Sequence, residues 1–272
     1  MIDSLNRVEI SLPALRHNYF LLKKKAPDAA LLAMVKADGY GHGMVACAQT
    51  LAELKVDNFG LGFGVAEVVE GIQLRESGIK EPIFIMVGPL PELLPPLFTH
   101  QLTPVVVDDT LLAALSQEAQ RRNQSIKLHV KVDAGMGRQG CVLSEAAAII
   151  QKINILPGLI LGGVLAHFPK SDDLTSQSTA NITSAFYKEM ERTGSILPKN
   201  TALHLANSGG ALYFPESHAH MIRPGISLYG CYPDGNAGRQ QATQAKQAAR
   251  LRPVMRFTSR VTQVRSLPAG TG

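Results

Sequence analysis

At 272 residues, 45% of them hydrophobic and 18% charged, the chain has the composition of a folded globular protein, long enough for one large α/β domain or two smaller ones. A formal charge of +5 favours an anionic small molecule as ligand over nucleic acid, because the basic residues are spread along the chain except toward its C-terminus. The three distant cysteines (Cys47, Cys141, Cys231) form neither a disulfide framework nor a metal set, no run can span a bilayer, and no signal peptide precedes the fold, so the expectation is a cytoplasmic protein without metal or membrane partner.

Val8-Glu9-Ile10 alternates as a short strand. Ser11 then caps a helix in which Leu12, Leu15, Tyr19 and Leu22 recur at helical spacing, with Pro13 accommodated in the first turn. The apolar run at 30–35 reads as a buried strand that delivers Lys36 where glycines at 39, 41 and 43 break the pattern. Burial disfavours an ammonium ion. Lys36 is therefore either a usable amine, able to act as a base or to form a Schiff base with a carbonyl compound, or a solvated lysine ending a strand.

A rhythm follows. Strand-like runs at 59–63, 82–87, 104–107, 126–132, 159–167, 202–205 and 221–223 are mostly separated by amphipathic stretches at 45–54, 66–76, 111–121, 146–153 and 182–192, while the last interval, 209–214, is short for a full helix. Strands alternating with helices imply parallel pairing, and near-continuous apolar strands imply a sheet covered on both faces. Eight such units fit a (β/α)₈ TIM-type barrel over residues 1–232.

After Gly230 the composition changes: a turn-rich break at 233–238, a polar Gln/Ala/basic stretch at 240–252, then strand-like alternation at 253–265 through Val254, Phe257, Val261 and Val264. Residues 233–272 read as the beginning of an incomplete β-rich domain, with residues 1–11 as a candidate pairing partner, since a strand or two cannot make a stable β-domain alone.

In a barrel the functional residues gather at the C-terminal strand ends. Lys36 ends the first strand, and Lys131 and Asp133 the fifth, ahead of the glycine-rich Gly135–Gly140 segment. His167 ends the sixth, His204 to Ser208 the seventh, and Arg223 the eighth.

Four segments in this order, MVKADGYGHG (34–43), KVDAGMGRQG (131–140), HLANS (204–208) and RPGISLYG (223–230), resemble the alanine racemases, fold-type III pyridoxal 5'-phosphate enzymes built from a barrel followed by a β-domain. The resemblance spans essentially the whole chain. It implies a racemase that interconverts L- and D-alanine by two-base proton transfer at Cα and supplies D-alanine for cell-wall peptidoglycan. By resemblance Lys36 holds the cofactor as a Schiff base and is one of the two bases. Tyr40, Ser208 and the backbone N–H groups of Gly225 and Ile226 hold the phosphate, with Asn207 beside them; glycine lets the backbone approach an anion closely.

Arg223 faces the pyridine nitrogen in that family. An arginine cannot readily supply a proton there, which weakens the ring as an electron sink and suits a reaction that removes and returns one proton. His204 buttresses Arg223, and His167 approaches the ring and the second base. Arg138 binds the substrate carboxylate and the ring oxygen, since its planar fork suits carboxylate oxygens. Lys131 is carboxylated in the family, which inverts its charge so that it orients Arg138; unmodified, it is a second cation there. Asp133 pairs with either residue or caps the glycine turn.

Two departures stand out. His220 occupies a position where the family usually has an acidic residue, with its effect expected at the barrel rim. Family members also continue for about another hundred residues, a domain-sized segment, which supplies a tyrosine as second base across a homodimer interface. No residue of this chain takes that role, so the expectation for the chain alone is cofactor binding with little or no racemization, and an open oligomeric state. The alternatives are a non-catalytic pyridoxal-phosphate-binding barrel and a broad-specificity or serine racemase.

Overall fold

Strand β2 (Ala30–Met34) sorts its side chains by alternation: Leu31 and Ala33 join the core beneath the helices, while Leu32 and Met34 join a separate cluster with Phe84. That second cluster fills the inside of a ring. Phe84 comes from β4 (Ile83–Ile85), and the strand between, β3 (Leu61–Val65), sets Gly62 opposite Leu32 and Gly64 opposite Met34. A Cβ on Gly64 would run into the end of Met34, and one on Gly62 would press on Leu32 Cδ1 at 3.1 Å. Large and small residues thus alternate around a narrow interior.

The computed structural model describes residues 4–54, 60–234 and 250–271. Strands β5 (Leu102–Val106), β6 (Ile126–Asp133), β8 (Leu159–Leu165), β9 (Ala202–His204) and β10 (Met221–Ile222) complete the ring. The order is β10-β2-β3-β4-β5-β6-β8-β9, with every paired neighbour parallel, and the two-residue β7 (Cys141–Val142) pairs with β6 off this path. The seam between β9 and β10 is closed by other hydrogen bonds. The His220 N–H donates to Leu203 O (3.0 Å), the Leu203 N–H to His220 Nδ1 (3.1 Å), and the Arg223 N–H to Ala206 O (2.8 Å). His220, expected at the rim, thus stitches the last joint with its imidazole. All eight strands expected of a (β/α)₈ barrel are present.

The helices cover the outside. α1 (Leu12–Lys25) begins where the Ser11 hydroxyl accepts the Ala14 N–H (3.3 Å), buries Leu15, Tyr19 and Leu22, and ends on Lys23, Lys24 and Lys25, where positive charge suits the helix dipole. After α2 (Lys36–Gly41), a turn of unusual hand, come α3 (Met44–Ala52), α4 (Val68–Glu76), α5 (Leu94–Thr99), α6 (Leu112–Arg122), α7 (Ala146–Ile155), α8 (Ser178–Thr193) and α9 (Ser208–Tyr213).

Two placements differ from the sequence pattern. The third strand runs over Leu61–Val65 rather than 59–63: Gly60 sits at φ +66°, outside the extended region, and Phe59 lies outside the described residues. Helix α5 lies in an interval for which the sequence pattern gave no helix; its two prolines, Pro95 and Pro96, both fall in the first turn, where no intrahelical N–H is needed.

β1 (Asn6–Ile10) pairs antiparallel with β11 (Met255–Ser259), from Asn6 opposite Ser259 to Ile10 opposite Met255. This ribbon is tied to the barrel by Ser11 N–H to Val254 O (2.8 Å), and by Asn18, whose amide donates to Leu228 O and Arg252 O and accepts the Arg252 N–H. Val8 and Phe257 on it are exposed. Much of the polar stretch from 240 lies outside the described residues. Among the described residues, no helix is long and apolar enough to cross a membrane.

Candidate active site

Lys36 leaves β2 into α2, where four successive residues, Ala37, Asp38, Gly39 and Tyr40, have φ between +51° and +63°. Only glycine adopts this left-handed region freely, so Ala37, Asp38 and Tyr40 together cost about 3–6 kcal/mol at ~1–2 each. Hydrogen bonds hold the turn against that cost. The Glu70 carboxylate accepts the Ala37 N–H (2.6 Å) through Oε1 and the Ala66 and Glu67 N–H groups (2.6 and 3.2 Å) through Oε2. Asp38 Oδ1 accepts the Met44 N–H (2.8 Å), and the Gly39 N–H returns to Val35 O (2.7 Å). The result holds the Lys36 backbone at the barrel mouth and turns Tyr40 inward, packed on Tyr229 with ring centroids 5.3 Å apart.

A cavity of about 560 Å³ opens at the C-terminal strand ends. Lys36, Tyr40, Lys131, Arg138 and His167 line it. Asn207, Ser208, Arg223, Gly225 and Ile226 complete its wall. His204 stands behind Arg223 rather than in the wall. The structure therefore brings every sequence-derived site residue to one place.

Arg223 is buried, and four of its five N–H groups are committed. NH1 donates to His204 Nδ1 (3.1 Å) and His204 O (2.6 Å); NH2 donates to Ala166 O (2.6 Å) and Leu205 O (3.0 Å). Its Nε–H is the donor left for the cavity. Burial pulls the guanidinium down to about 9, so it remains cationic at neutral pH. His167 is pushed down to about 3, first by burial and then by the cations Arg223, Arg138, Lys131 and Lys36, and is a neutral imidazole. Lys131 is lowered to about 8, by burial first and then by Arg138, Arg223 and Lys36, and its Nζ donates to Gln139 Oε1 (3.0 Å).

Opposite lies an anion cradle. Ser208 Oγ accepts the Gly225 N–H (2.9 Å) and the Ser227 N–H (3.2 Å), leaving its own hydrogen to donate. The Ile226 N–H has no protein acceptor among the described residues. A Cβ on Gly225 would run into the Tyr40 hydroxyl, so the absence of a side chain there is what lets the phenol approach these amides. Burial raises the Tyr40 pKa, which keeps the phenol protonated and a donor. An amine, two facing cations and a cradle of N–H and O–H donors fit a phosphorylated pyridine aldehyde.

Two residues hold the walls rather than face the cavity with free polar groups. Asn207 Oδ1 accepts the Gly210 N–H (3.0 Å) and the Ser171 hydroxyl (2.7 Å), and its amide donates to Phe168 O (3.4 Å), so its side chain caps α9 and aims Ser208. Asp133 takes the last of its open alternatives: its carboxylate accepts the N–H groups of Gly135, Met136, Gly137 and Arg138 and caps the turn. Burial alone would raise its pKa, but the four N–H donors together outweigh it and hold the carboxyl below the usual range.

Glu70, His129 and Gln139 are the site's contributors that sequence reading did not single out. Glu70 carried a signal, the Glu67-x-x-Glu70 capping box at the start of α4. His129 carried one too, standing two residues before Lys131 on the same strand face.

Comparison with known proteins identifies the family. The family model described as "Alanine racemase, N-terminal domain" matches residues 10–233. Alanine racemase from Syntrophobacter fumaroxidans is 35% identical over 266 residues, covering 97% of this chain and 67% of the relative. Alanine racemase from Geobacter sp. (strain M21) is 36% identical over 273 residues, 97% of this chain and 68% of that protein. The chain thus spans about two thirds of the length of these curated relatives. Among solved structures, alanine racemase from a D-cycloserine-producing Streptomyces lavendulae superposes with a TM-score of 0.85 at 26% identity, covering all of this chain and 69% of the other. That of Clostridium difficile 630 gives 0.81 at 28%, with the same coverage.

Proposed function

The chain belongs to the alanine racemase family, and on that premise we propose that its cavity binds pyridoxal 5'-phosphate and provides one half of a two-base alanine racemization. The observation that carries this reading is the convergence of Lys36, Arg138, Arg223 and the Ser208–Gly225–Ile226 cradle on a single cavity at the C-terminal strand ends.

Pyridoxal phosphate supplies, when bound, an aldehyde that condenses with amines and a ring that withdraws electrons from Cα. The remaining work belongs to the chain. The Ser208 hydroxyl, the Ile226 N–H and the Tyr40 phenol would bind the phosphate, with the Gly225 N–H holding Ser208 Oγ in place beside it. The Arg223 Nε–H would be the donor to the ring nitrogen, and because the guanidinium keeps its protons near neutral pH the nitrogen would not be protonated from that side. Arg138 binds the substrate carboxylate in its planar fork. Lys36 would be the covalent anchor for the aldehyde, and its free amine would take the α-proton on one face and return it there in the reverse direction. His167, neutral, is a hydrogen-bonding group rather than an acid.

Lys131, with a pKa near 8, is partly unprotonated at neutral pH, the form that adds carbon dioxide. A carboxylated Lys131 would place a negative charge among Arg138, Arg223 and Lys36 and orient Arg138. The base for the opposite face of Cα is not assigned to any residue of this chain. D-alanine supply for peptidoglycan, a cytoplasmic location and a homodimeric assembly complete the reading by family.

The test is borohydride reduction in the presence of pyridoxal phosphate followed by peptide mapping. The expected result is a stable pyridoxyl adduct on Lys36 that disappears in Lys36→Ala. An adduct on another lysine, or none, would overturn the reading.

A further inference from the structure

The polar cluster behind Arg223 reaches one residue further than His204. A guanidinium has no acceptor, so the 3.1 Å contact between Arg223 NH1 and His204 Nδ1 requires a lone pair on Nδ1. The proton of neutral His204 is then on Nε2, which lies 2.9 Å from His129 Nδ1. His129 Nδ1 must accept in turn, and the proton of His129 is on its own Nε2. Each tautomer follows from the one before it, starting at Arg223.

The fold is shaped to hold this ring. The β6–β8 register shifts between Leu128 and His129, a bulge in the ladder at the imidazole. Across from it β8 carries Gly162 and Gly163. A Cβ on Gly163 would run into the His129 ring, and one on Gly162 would lie 2.8 Å from His129 Nε2. Phe84 meets the ring edge-on at 4.9 Å. Both imidazoles are neutral: burial, then the cations Lys127 and Arg223, push His129 down to about 3, and burial, then Arg223 and the other histidines, push His204 well below its usual value.

We propose that His129 is a positioning residue for Arg223: it is the acceptor that holds His204 as the Nε2–H tautomer and so keeps His204 Nδ1 open to the guanidinium. Without that acceptor the buried Nε2–H of His204 has no partner. A buried donor left unmatched is relieved by moving the proton to Nδ1, where it would face the NH1 donor of Arg223 and push the guanidinium away. The significance of this for a cofactor ring rests on the function proposed above; the tautomers themselves do not.

The experiment is long-range ¹H–¹⁵N NMR on the full chain with labelled histidine and arginine, without cofactor, on wild type, His129→Leu and His129→Asn. Leucine fills the slot without an acceptor, and asparagine retains a side-chain oxygen. The expected result is Nε2–H for both histidines in wild type. In His129→Leu a measurable fraction of His204 moves to Nδ1–H and the Arg223 side-chain N–H groups exchange at least tenfold faster, with both effects reversed in His129→Asn. A wild-type His204 protonated at Nδ1, or unchanged His204 and Arg223 signals in His129→Leu, would overturn the proposal. If His129→Leu does not fold, the wild-type tautomers decide alone. Failure of the chain to bind pyridoxal phosphate would instead overturn the cofactor reading and leave the tautomer result standing.

Discussion

Gly225→Ala adds one methyl group at the point where cradle and phenol meet. Gly225 is not among the positive-φ residues, so alanine fits its backbone and the perturbation is steric. The new Cβ would overlap the Tyr40 hydroxyl oxygen and lie 2.9 Å from Cζ and 3.5 Å from Cε2. Tyr40 is backed by Tyr229, whose own hydroxyl is fixed on Met34 O (3.2 Å), so the phenol can relieve the overlap only by leaving the amides.

Overpacking of this kind costs about 1–3 kcal/mol of stability. Losing the phenol as a donor to an anion costs a further ~1.5–3 kcal/mol of binding, or about 10- to 150-fold in the dissociation constant of pyridoxal phosphate at ~1.4 kcal/mol per tenfold. The assay is a spectrophotometric titration of the cofactor alongside urea unfolding, for Gly225→Ala, Tyr40→Phe and the double variant. Without the hydroxyl the worst overlap is gone, so adding Gly225→Ala to Tyr40→Phe should weaken binding much less than adding it to wild type. A dissociation constant within twofold of wild type for Gly225→Ala, or strict additivity in the double variant, would refute the assignment of Tyr40 to the cradle.

Glu70→Ala removes the acceptor of three backbone N–H groups beside Lys36 and should lower stability by about 2–3 kcal/mol in urea unfolding, with hydrogen exchange at Ala37 accelerated; protection at Ala37 unchanged would show that the turn stands without it. Lys131, lowered to about 8, should titrate well below exposed lysines with values near ~10.4, as read from the pH dependence of its labelled side-chain NMR signal. Arg138→Gln, by removing a neighbouring cation, should move that midpoint upward in the same titration. Asp133→Ala should cost about 1–2 kcal/mol at neutral pH through loss of the turn cap. Because the folded carboxyl lies below its unfolded value near ~3.9, this contribution is present above that value and disappears as pH falls through the folded one, so acid unfolding curves of wild type and variant should converge.

The barrel was legible because its signal is repetitive: eight apolar runs with amphipathic spacers leave few other topologies. Where one cue stood against its neighbours, sequence reading slipped. β3 begins two residues after the start of the apolar run at 59–63, because the backbone at Gly60 is not extended. Helix α5 carries Pro95-Pro96, residues that break a helix everywhere except at its beginning. The left-handed run from Ala37 to Tyr40 was beyond reach for a different reason. Propensity disfavours it, and it is held by hydrogen bonds that include one from the Ala37 N–H to Glu70, thirty-three residues away. In the site, Lys36, Arg138 and Arg223 were readable as chemistry, while the commitment of Asn207 to Ser171, Gly210 and Phe168 is a matter of three-dimensional neighbours.

The β1–β11 ribbon has a consequence for the order in which the molecule is assembled. Asn6 and Ser259 are partners 253 residues apart, so β1 pairs with a strand that is synthesised only after the whole barrel. Closing so long a loop in an unfolded chain is entropically unfavourable and slow. The barrel removes that cost, since Asn18 of α1 already grips Leu228 O and brings the approach to β11, at Arg252, within reach. The ribbon is therefore expected to form late, templated by the barrel, and until β11 is synthesised β1 has no partner strand to cover its edge.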